Sequence, residues 1–362
     1  MCSACETKVT AESLDEFSAR YLEILNHGAL SLMISIGHRT GLFKALRSAG
    51  PCTSAQLARA SRLNERYVRE WLGAMTTGKI VEIEDDHFVL AEAVSQLFAN
   101  AEEASNIAYL SQYIGMLGEV ETRVVECFYM GGGVPYSAYS RFHDVMAEDS
   151  GQNIVAALLD HILPLVPGLT LALQNGISVL DIGCGRGRAL HLLAEKFPDS
   201  RFTGCDLSEE AVAYARDHAN RSELRNLRFE ARDLTAFDCE APEAAYDLVT
   251  AFDAIHDQAR PDNVLVGIRR SLKPEGIFLM QDIRAASTIA ENRDHPIGTL
   301  LYTISCMHCM TTSLAQGGMG LGAMWGEQKA LEFLKSAGFA NVEVRTLEHD
   351  IQNNYYLAWQ AA

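Results

Sequence analysis

A chain of 362 residues is too long for a single compact core, and its 48% apolar residues are enough to fill two. No run of 18 apolar residues occurs, which argues against a membrane span, and a formal net charge of −17 argues against nucleic acid as a bulk partner, because phosphate binding needs a basic surface. Nine cysteines at scattered spacings, with no basic-then-apolar leader, point to reduced thiols and a cytosolic location.

Residues 14–46 carry a helical pattern, with Phe17, Tyr21, Ile24 and Leu25 on one face and Gly28 and Gly37 as expected interruptions. Residues 30–36 are nearly all apolar, which predicts a second helix buried on most sides. Faces of this kind pack between subunits, so a homodimer is expected. Thr53 or Ser54 caps a short helix, Asn64 caps the next, which carries Tyr67, Val68, Trp71, Leu72 and Met75, and Gly78 ends it. Residues 80–90 read as a β-hairpin about Asp85 and Asp86. Two short helices followed by a hairpin make a winged helix, placed at residues 1–100. Its would-be recognition helix offers Arg66 and Arg69, offset by Glu65 and Glu70, and the first hundred residues hold ten Lys/Arg against twelve Asp/Glu. Phosphate neutralisation is then poor, and a structural, dimerising module is the better reading than a DNA-binding one. Cys2 and Cys5 have metal-pair spacing but no second ligand pair, and no metal is expected there.

Residues 101–168 read as a mostly helical connector, broken by a flexible turn at 130–136. Tyr136, Tyr139, Phe142, His143 and Met146 cluster just after the turn. They are candidates for the roof of a substrate pocket, with ordinary interdomain packing as the competing role.

The segment 179–190, V-L-D-I-G-C-G-R-G-R-A-L, is a strand, a glycine turn and the start of a helix, within a third region at 169–362. Glycines at 183, 185 and 187 permit left-handed turns and leave peptide N–H groups uncovered, and the following helix N-terminus favours an anionic group. A nicotinamide fingerprint needs a third glycine where Arg188 stands, so that reading fails. The pattern D-x-G-x-G-x-G instead resembles the first motif of class I S-adenosylmethionine-dependent methyltransferases. The likeness continues through a second strand at 201–206 ending in Asp206, a third ending in Asp233-Leu234, a fourth at 246–252 and a fifth at 276–280. It implies an α/β, Rossmann-like seven-stranded sheet with a closing antiparallel hairpin. It also implies S-adenosylmethionine as the donor, with Asp181 and the N–H groups of Gly183 and Gly185 at its methionine end. Asp206 is assigned to its ribose diol, Leu207 to the ribose or adenine, Asp233 and Leu234 to the adenine edge, and Phe252 to the methionine side.

His256, in Phe252-Asp-Ala-Ile-His-Asp257, lies just past the fourth strand, where the methyl group points. Its intrinsic pKa suits a general base. This region resembles the small-molecule O-methyltransferases of the caffeate and acetylserotonin type, which pair a winged-helix dimerisation domain with a His-Asp at this place. The chain departs from them at Gln258, where they carry Trp, and the acidic partners of their histidine are not identifiable from the order of residues. Asp257 is read as orienting the ring or opening the next helix. The whole chain also resembles a mycobacterial group of winged-helix methyltransferases.

A helix from Pro261 and a turn at 273–276 lead into the fifth strand. Residues 282–326, rich in Gly and Met, are read as a lid or wall over the acceptor, with His308 and Trp325 as substrate-facing candidates beside Tyr136, His143 and Met146. Cys306, His308 and Cys309 lack zinc spacing, and core packing is preferred to a metal or metalloid site. A helix at 327–337 and two strands at 342–347 and 355–359 close the chain, with His349, Asp350 and Asn353 in the loop between them. The expected function is methyl transfer to a small organic acceptor, at oxygen with His256 as base. The alternatives are N-, S- or C-methyl transfer by proximity, or a winged-helix regulator that uses the donor pocket as a sensor.

Overall fold

The computed structural model describes residues 12–99 and 106–360, so Cys2 and Cys5 lie outside it. The chain divides into two compact units, Met1–Gly115 and Met116–Ala362. No described helix is long and apolar enough to cross a membrane.

The first unit holds α1 (Leu14–Thr40), α2 (Leu42–Ala49), α3 (Ser54–Ser61), α4 (Glu65–Thr77), β1 (Val81–Glu84), β2 (His87–Leu90) and α5 (Glu92–Ala99). Ser13 and Glu16 form a capping box that starts α1, and Gly41 at φ 71° ends it. The expected interruptions do not occur: α1 runs unbroken through Gly28 and Gly37. Gly28 faces open space, whereas a Cβ on Gly37 would lie 2.7 Å from Trp71 and 2.8 Å from Phe43. Gly37 is therefore a point of close helix–helix approach. The stretch 30–36 is not a separate helix buried on most sides either; Ile34 is buried while Leu32 and Ile36 are exposed in this chain. Thr53 and Asn64 cap α3 and α4 as expected, and β1 and β2 pair antiparallel about Asp85 and Asp86, both at positive φ. Trp71, Leu72, Met75, Phe43 and Leu57 fill the core of this unit, and the Trp71 indole N–H donates to the Met33 carbonyl at 2.9 Å.

Helix α6 (Gln112–Gly118) spans the division, and α7 (Glu121–Met130), α8 (Phe142–Ser150) and α9 (Leu169–Asn175) precede the sheet. The second unit then alternates β3 (Ser178–Ile182), α10 (Arg188–Lys196), β4 (Arg201–Asp206), α11 (Glu209–Arg221), β5 (Leu227–Ala231), α12 (Phe237–Glu240), β6 (Tyr246–Phe252), α13 (Pro261–Ser271) and β7 (Leu272–Ile283). It ends with α14 (Gly298–Ile304), α15 (Met310–Ala315), α16 (Gly326–Ser336), β8 (Asn341–Leu347) and β9 (Asp350–Trp359). The seven strands run in the order β5-β4-β3-β6-β7-β9-β8, parallel except for β9, which is antiparallel to both neighbours. Alternate residues of the central strands enter two different cores, Leu180, Val249 and Phe278 on one face and Val179, Leu248 and Leu279 on the other. The order reverses at β3, flanked by β4 and β6, and in such sheets ligands bind outside the carboxyl ends of the strands at that point.

Two local readings change. β7 takes in the 273–276 segment expected to be a turn. The loop residues before the last strand serve the hairpin: Asp350 begins β9 and accepts from the Asn353 backbone at 3.1 Å and the Tyr355 hydroxyl at 2.7 Å. His349, Asp350 and Asn353 do not line the cavity described below.

Gly37→Ala is expected to destabilise the protein by about 1–3 kcal/mol in urea titration, because overpacking against Trp71 outweighs the gain in helix propensity. Gly28→Ala, with open space around it, is expected to be neutral or stabilising by up to about 1 kcal/mol.

Candidate active site

The glycine turn is shaped by what it touches. Gly183 adopts φ 68°, and a Cβ there would lie 2.4 Å from the Ala254 side chain. Gly187 adopts φ 69°, with a Cβ position 2.4 Å from the Phe229 ring of β5. Both positions exclude any side chain, one by its contact with the end of β6 and the other by its contact with β5. The turn is pinned to β4: the N–H groups of Gly183 and Cys184 donate to the Cys205 carbonyl at 2.8 and 3.1 Å. The Gly185 N–H donates to Asp206 Oδ2 and the Ser208 N–H to Asp206 Oδ1, each at 2.8 Å. Arg186 reaches Asp144 on α8 at 2.6 Å and Glu210 on α11 at 2.8 Å, and lies over the Tyr214 ring. The Arg188 guanidinium bonds the Ala147 carbonyl. His143 Nε2 meets Ser208 Oγ at 2.9 Å. These contacts strap α8 across the strand ends.

Beneath the strap lies a cavity of about 720 Å³. All eight residues expected at the donor site line it: Asp181, Gly183, Gly185, Asp206, Leu207, Asp233, Leu234 and Phe252. Tyr136, His143 and Met146 line it too, so the cluster after the 130–136 turn does form part of the wall. His308 and Trp325 do not. His308 stacks behind Phe142 at 4.0 Å between ring centres, and its Nε2 has no partner. Burial pulls its pKa down to about 3, so the ring is neutral. Trp325 donates its indole N–H to Asp282 Oδ1 at 3.0 Å.

His256 is also absent from the wall. It is 3% exposed, with Nδ1 2.8 Å from Asp282 Oδ1 at the end of β7. Asp282 is the acidic partner that the sequence alone did not reveal. Burial opposes a charged ring here, yet Asp282 and Cys309 together hold the imidazole pKa well above its ordinary value, so it keeps its proton. Asp253, His256 and Asp282 bring their polar atoms within 4.8 Å of one another; no such group that includes a cysteine occurs among the described residues. The next residue, Asp257, does line the cavity and accepts the Tyr136 hydroxyl on Oδ2 at 2.5 Å.

The cavity gathers carboxylates that burial disfavours as anions. Burial pushes Asp181 up to about 7 against the hydroxyl of Thr250, which donates to its Oδ1 at 2.7 Å. Burial and the nearby Asp282 push Asp253 up to about 8, and Asp253 Oδ1 has no hydrogen-bond partner. Asp206 is raised as well, mainly by burial. Asp181 has no cationic partner in an ion pair with it among the described residues, so the site suits a ligand bearing a cationic group beside hydroxyl or amine donors. An acid raised on folding contributes stability that is complete below its unfolded value near 4 and is lost as pH rises through its folded value. The ligand-free protein is therefore expected to melt at a lower temperature at pH 8 than at pH 5. Asp253→Asn is expected to flatten that slope, and an equal slope in the variant would remove this assignment.

Residues 173–338 match the model of a methyltransferase domain, and residues 28–98 match that of an Rv2258c-like winged HTH domain. A fatty-acid O-methyltransferase of Mycolicibacterium smegmatis is 32% identical over 117 residues, 32% of this chain and 41% of that protein. A malonyl-[acyl-carrier protein] O-methyltransferase of Acetivibrio thermocellus is 27% identical over 162 residues, 44% of this chain and 49% of that protein. The chain thus spans less than half the length of these curated relatives. Among solved structures, human N-acetylserotonin methyltransferase in complex with SAM superposes with a TM-score of 0.69 at 20% identity, covering 97% of this chain and 100% of that one. PigF with SAH gives 0.69 at 17% identity over the same shares of the two chains. At these identities the likeness concerns the fold. The chain joins an Rv2258c-like winged helix to a methyltransferase domain of the class I fold.

Proposed function

We propose that the protein transfers a methyl group from S-adenosylmethionine to a small organic acceptor, at an oxygen atom. The observation that supports this most directly is that Asp181, the glycine turn, Asp206 and Asp233, which lie far apart along the chain, share one cavity wall. Each oxygen of Asp206 accepts one N–H and retains a lone pair for a ribose hydroxyl. Asp233 accepts the Thr235 N–H on Oδ1, which leaves Oδ2 for the adenine amine. Asp181, buried without a cation, suits the ammonium group. Gly183 and Gly185 line the cavity with their backbone, which suits the carboxylate at the donor's methionine end. Two structural neighbours were solved with SAM or SAH, and the two curated relatives described above carry O-methyltransferase names.

Bound there, S-adenosylmethionine supplies an electrophilic methyl group on a sulfonium sulfur whose thioether leaves without acid help. The protein's task is then alignment, which can lower the barrier of a well-oriented reaction by roughly 7–11 kcal/mol. In this reading Phe252 borders the methionine end and Tyr136 and Met146 cover the acceptor side, while His143, bonded to Ser208, lies beside Asp206 at the ribose end. A hydroxyl acceptor must lose a proton, and the His256-Asp257 pair past β6 is where a base is expected, which favours a hydroxyl over an amine, whose proton can leave after attack. The described cysteines form no disulfide, in keeping with a cytosolic reaction. The winged helix serves a homodimer in this reading, since α1 leaves Phe17, Tyr21, Leu22, Ile24 and Leu25 exposed on a single chain.

Asp206→Ala is expected to weaken donor binding at least tenfold by calorimetry, through loss of charge-assisted hydrogen bonds worth roughly 1.5–3 kcal/mol. Unchanged affinity would refute the donor site. A metabolite extract supplied with isotopically labelled donor is expected to yield an O-methylated product. Light scattering is expected to give twice the chain mass; a single-chain mass removes the dimerising role.

A further inference from the structure

We propose that Asp257, and not His256, takes the acceptor's proton, with Tyr136 as its positioning residue. The proposal rests on the O-methyl reading above. Geometry separates two neighbours in sequence. After β6 the chain turns sharply, with Asp253 at φ 49°, and consecutive side chains then face different surroundings. Asp257 is on the cavity wall, whereas the His256 side chain is 4% exposed and turned to Asp282 and Cys309. The imidazole already holds its proton beside Asp282, and a protonated imidazole has no acceptor nitrogen to offer.

Asp257 has what a base needs here. The Tyr136 hydroxyl engages Oδ2 at 2.5 Å and sets the plane of the carboxylate, which leaves Oδ1 for an acceptor hydroxyl. Tyr136 itself is held well above its ordinary pKa by burial and by Asp257, so it stays a donor. The groups that face Asp257 are Tyr136, His256, Asp206 at the tip of β4 and Asp282 at the tip of β7. Burial raises its pKa to about 6 against the pull of His256 and Tyr136, so it is ionised at neutral pH yet basic enough to act. In the step itself the acceptor O–H proton moves to Asp257 Oδ1 and an acceptor lone pair forms the new O–CH3 bond. The S–CH3 bond breaks with its electrons left on sulfur, and the carboxylic acid then returns its proton to water.

The test uses full-length protein, labelled S-adenosylmethionine and the hydroxyl acceptor found in the extract screen. Asp257→Asn is expected to lower kcat at pH 7 by about a hundredfold or more while calorimetric donor affinity stays within about twofold. The loss is expected to shrink as rising pH ionises the acceptor itself. Carbon-13 NMR of aspartate-labelled, ligand-free protein is expected to show one carboxyl titrating near 6 that is missing in Asp257→Asn and displaced upward in Tyr136→Phe. A variant kcat within threefold of the parent overturns the role, as does a loss that stays constant across pH or a carboxyl that titrates in the ordinary aspartate range. If the parent protein binds donor but methylates no hydroxyl compound, the hydroxyl reading falls and takes this role with it; if donor does not bind, the reading fails one step earlier.

Discussion

The site depends on one constraint: the glycine turn after β3 is hung on the end of β4. Four backbone N–H groups, from Gly183, Cys184, Gly185 and Ser208, converge on the Cys205 carbonyl and the Asp206 carboxylate. That set fixes where α10 begins and therefore where its free N–H groups point. It also explains the spacing of the glycines, since a side chain at 183 would collide with Ala254 and one at 187 with Phe229. Moving either contact shifts the turn relative to all three strand tips at once.

A second constraint is electrostatic. Asp181, Asp206, Asp253 and Asp257 all sit where burial raises their pKa, and three of the arginines that line the cavity are already committed. Arg186 is shared by Asp144 and Glu210, Arg188 is bound to a carbonyl and Arg232 pairs with Glu240. The cavity is thus an acidic interior closed by satisfied cations. Such an interior favours a ligand that carries positive charge and hydrogen-bond donors, and it disfavours a free anionic acceptor near Asp257. The aromatic side, Tyr136 and Phe142 backed by neutral His308, is held together by ring contacts instead of charge.

Much of this was readable in the linear order, because turns and strand tips are local events. The capping residues Thr53 and Asn64, the Asp85-Asp86 hairpin and the eight positions that share one cavity wall all follow from short motifs whose geometry is completed within a few residues. The misreadings have a common cause. Gly28 and Gly37 look alike in sequence, yet one faces solvent and the other faces Trp71, a residue 34 positions away. Trp325 and His308 sit in a Gly- and Met-rich stretch that suggests a wall, but their polar atoms belong to a layer behind it. Asp350 resembles a loop acid and instead closes the hairpin through Tyr355.

By itself, then, the order of residues determined the class of the sheet, the glycine turn and the acids that end its strands, since each is set by backbone geometry and by neighbours close along the chain. Tertiary structure alone decided which of two adjacent residues, His256 or Asp257, meets the cavity. The turn that begins at Asp253 rotates one side chain toward Asp282 on a strand 26 residues away and the other toward Tyr136, 121 residues away. Side-chain direction after a strand end depends on what packs against it from elsewhere, and no local pattern carries that information.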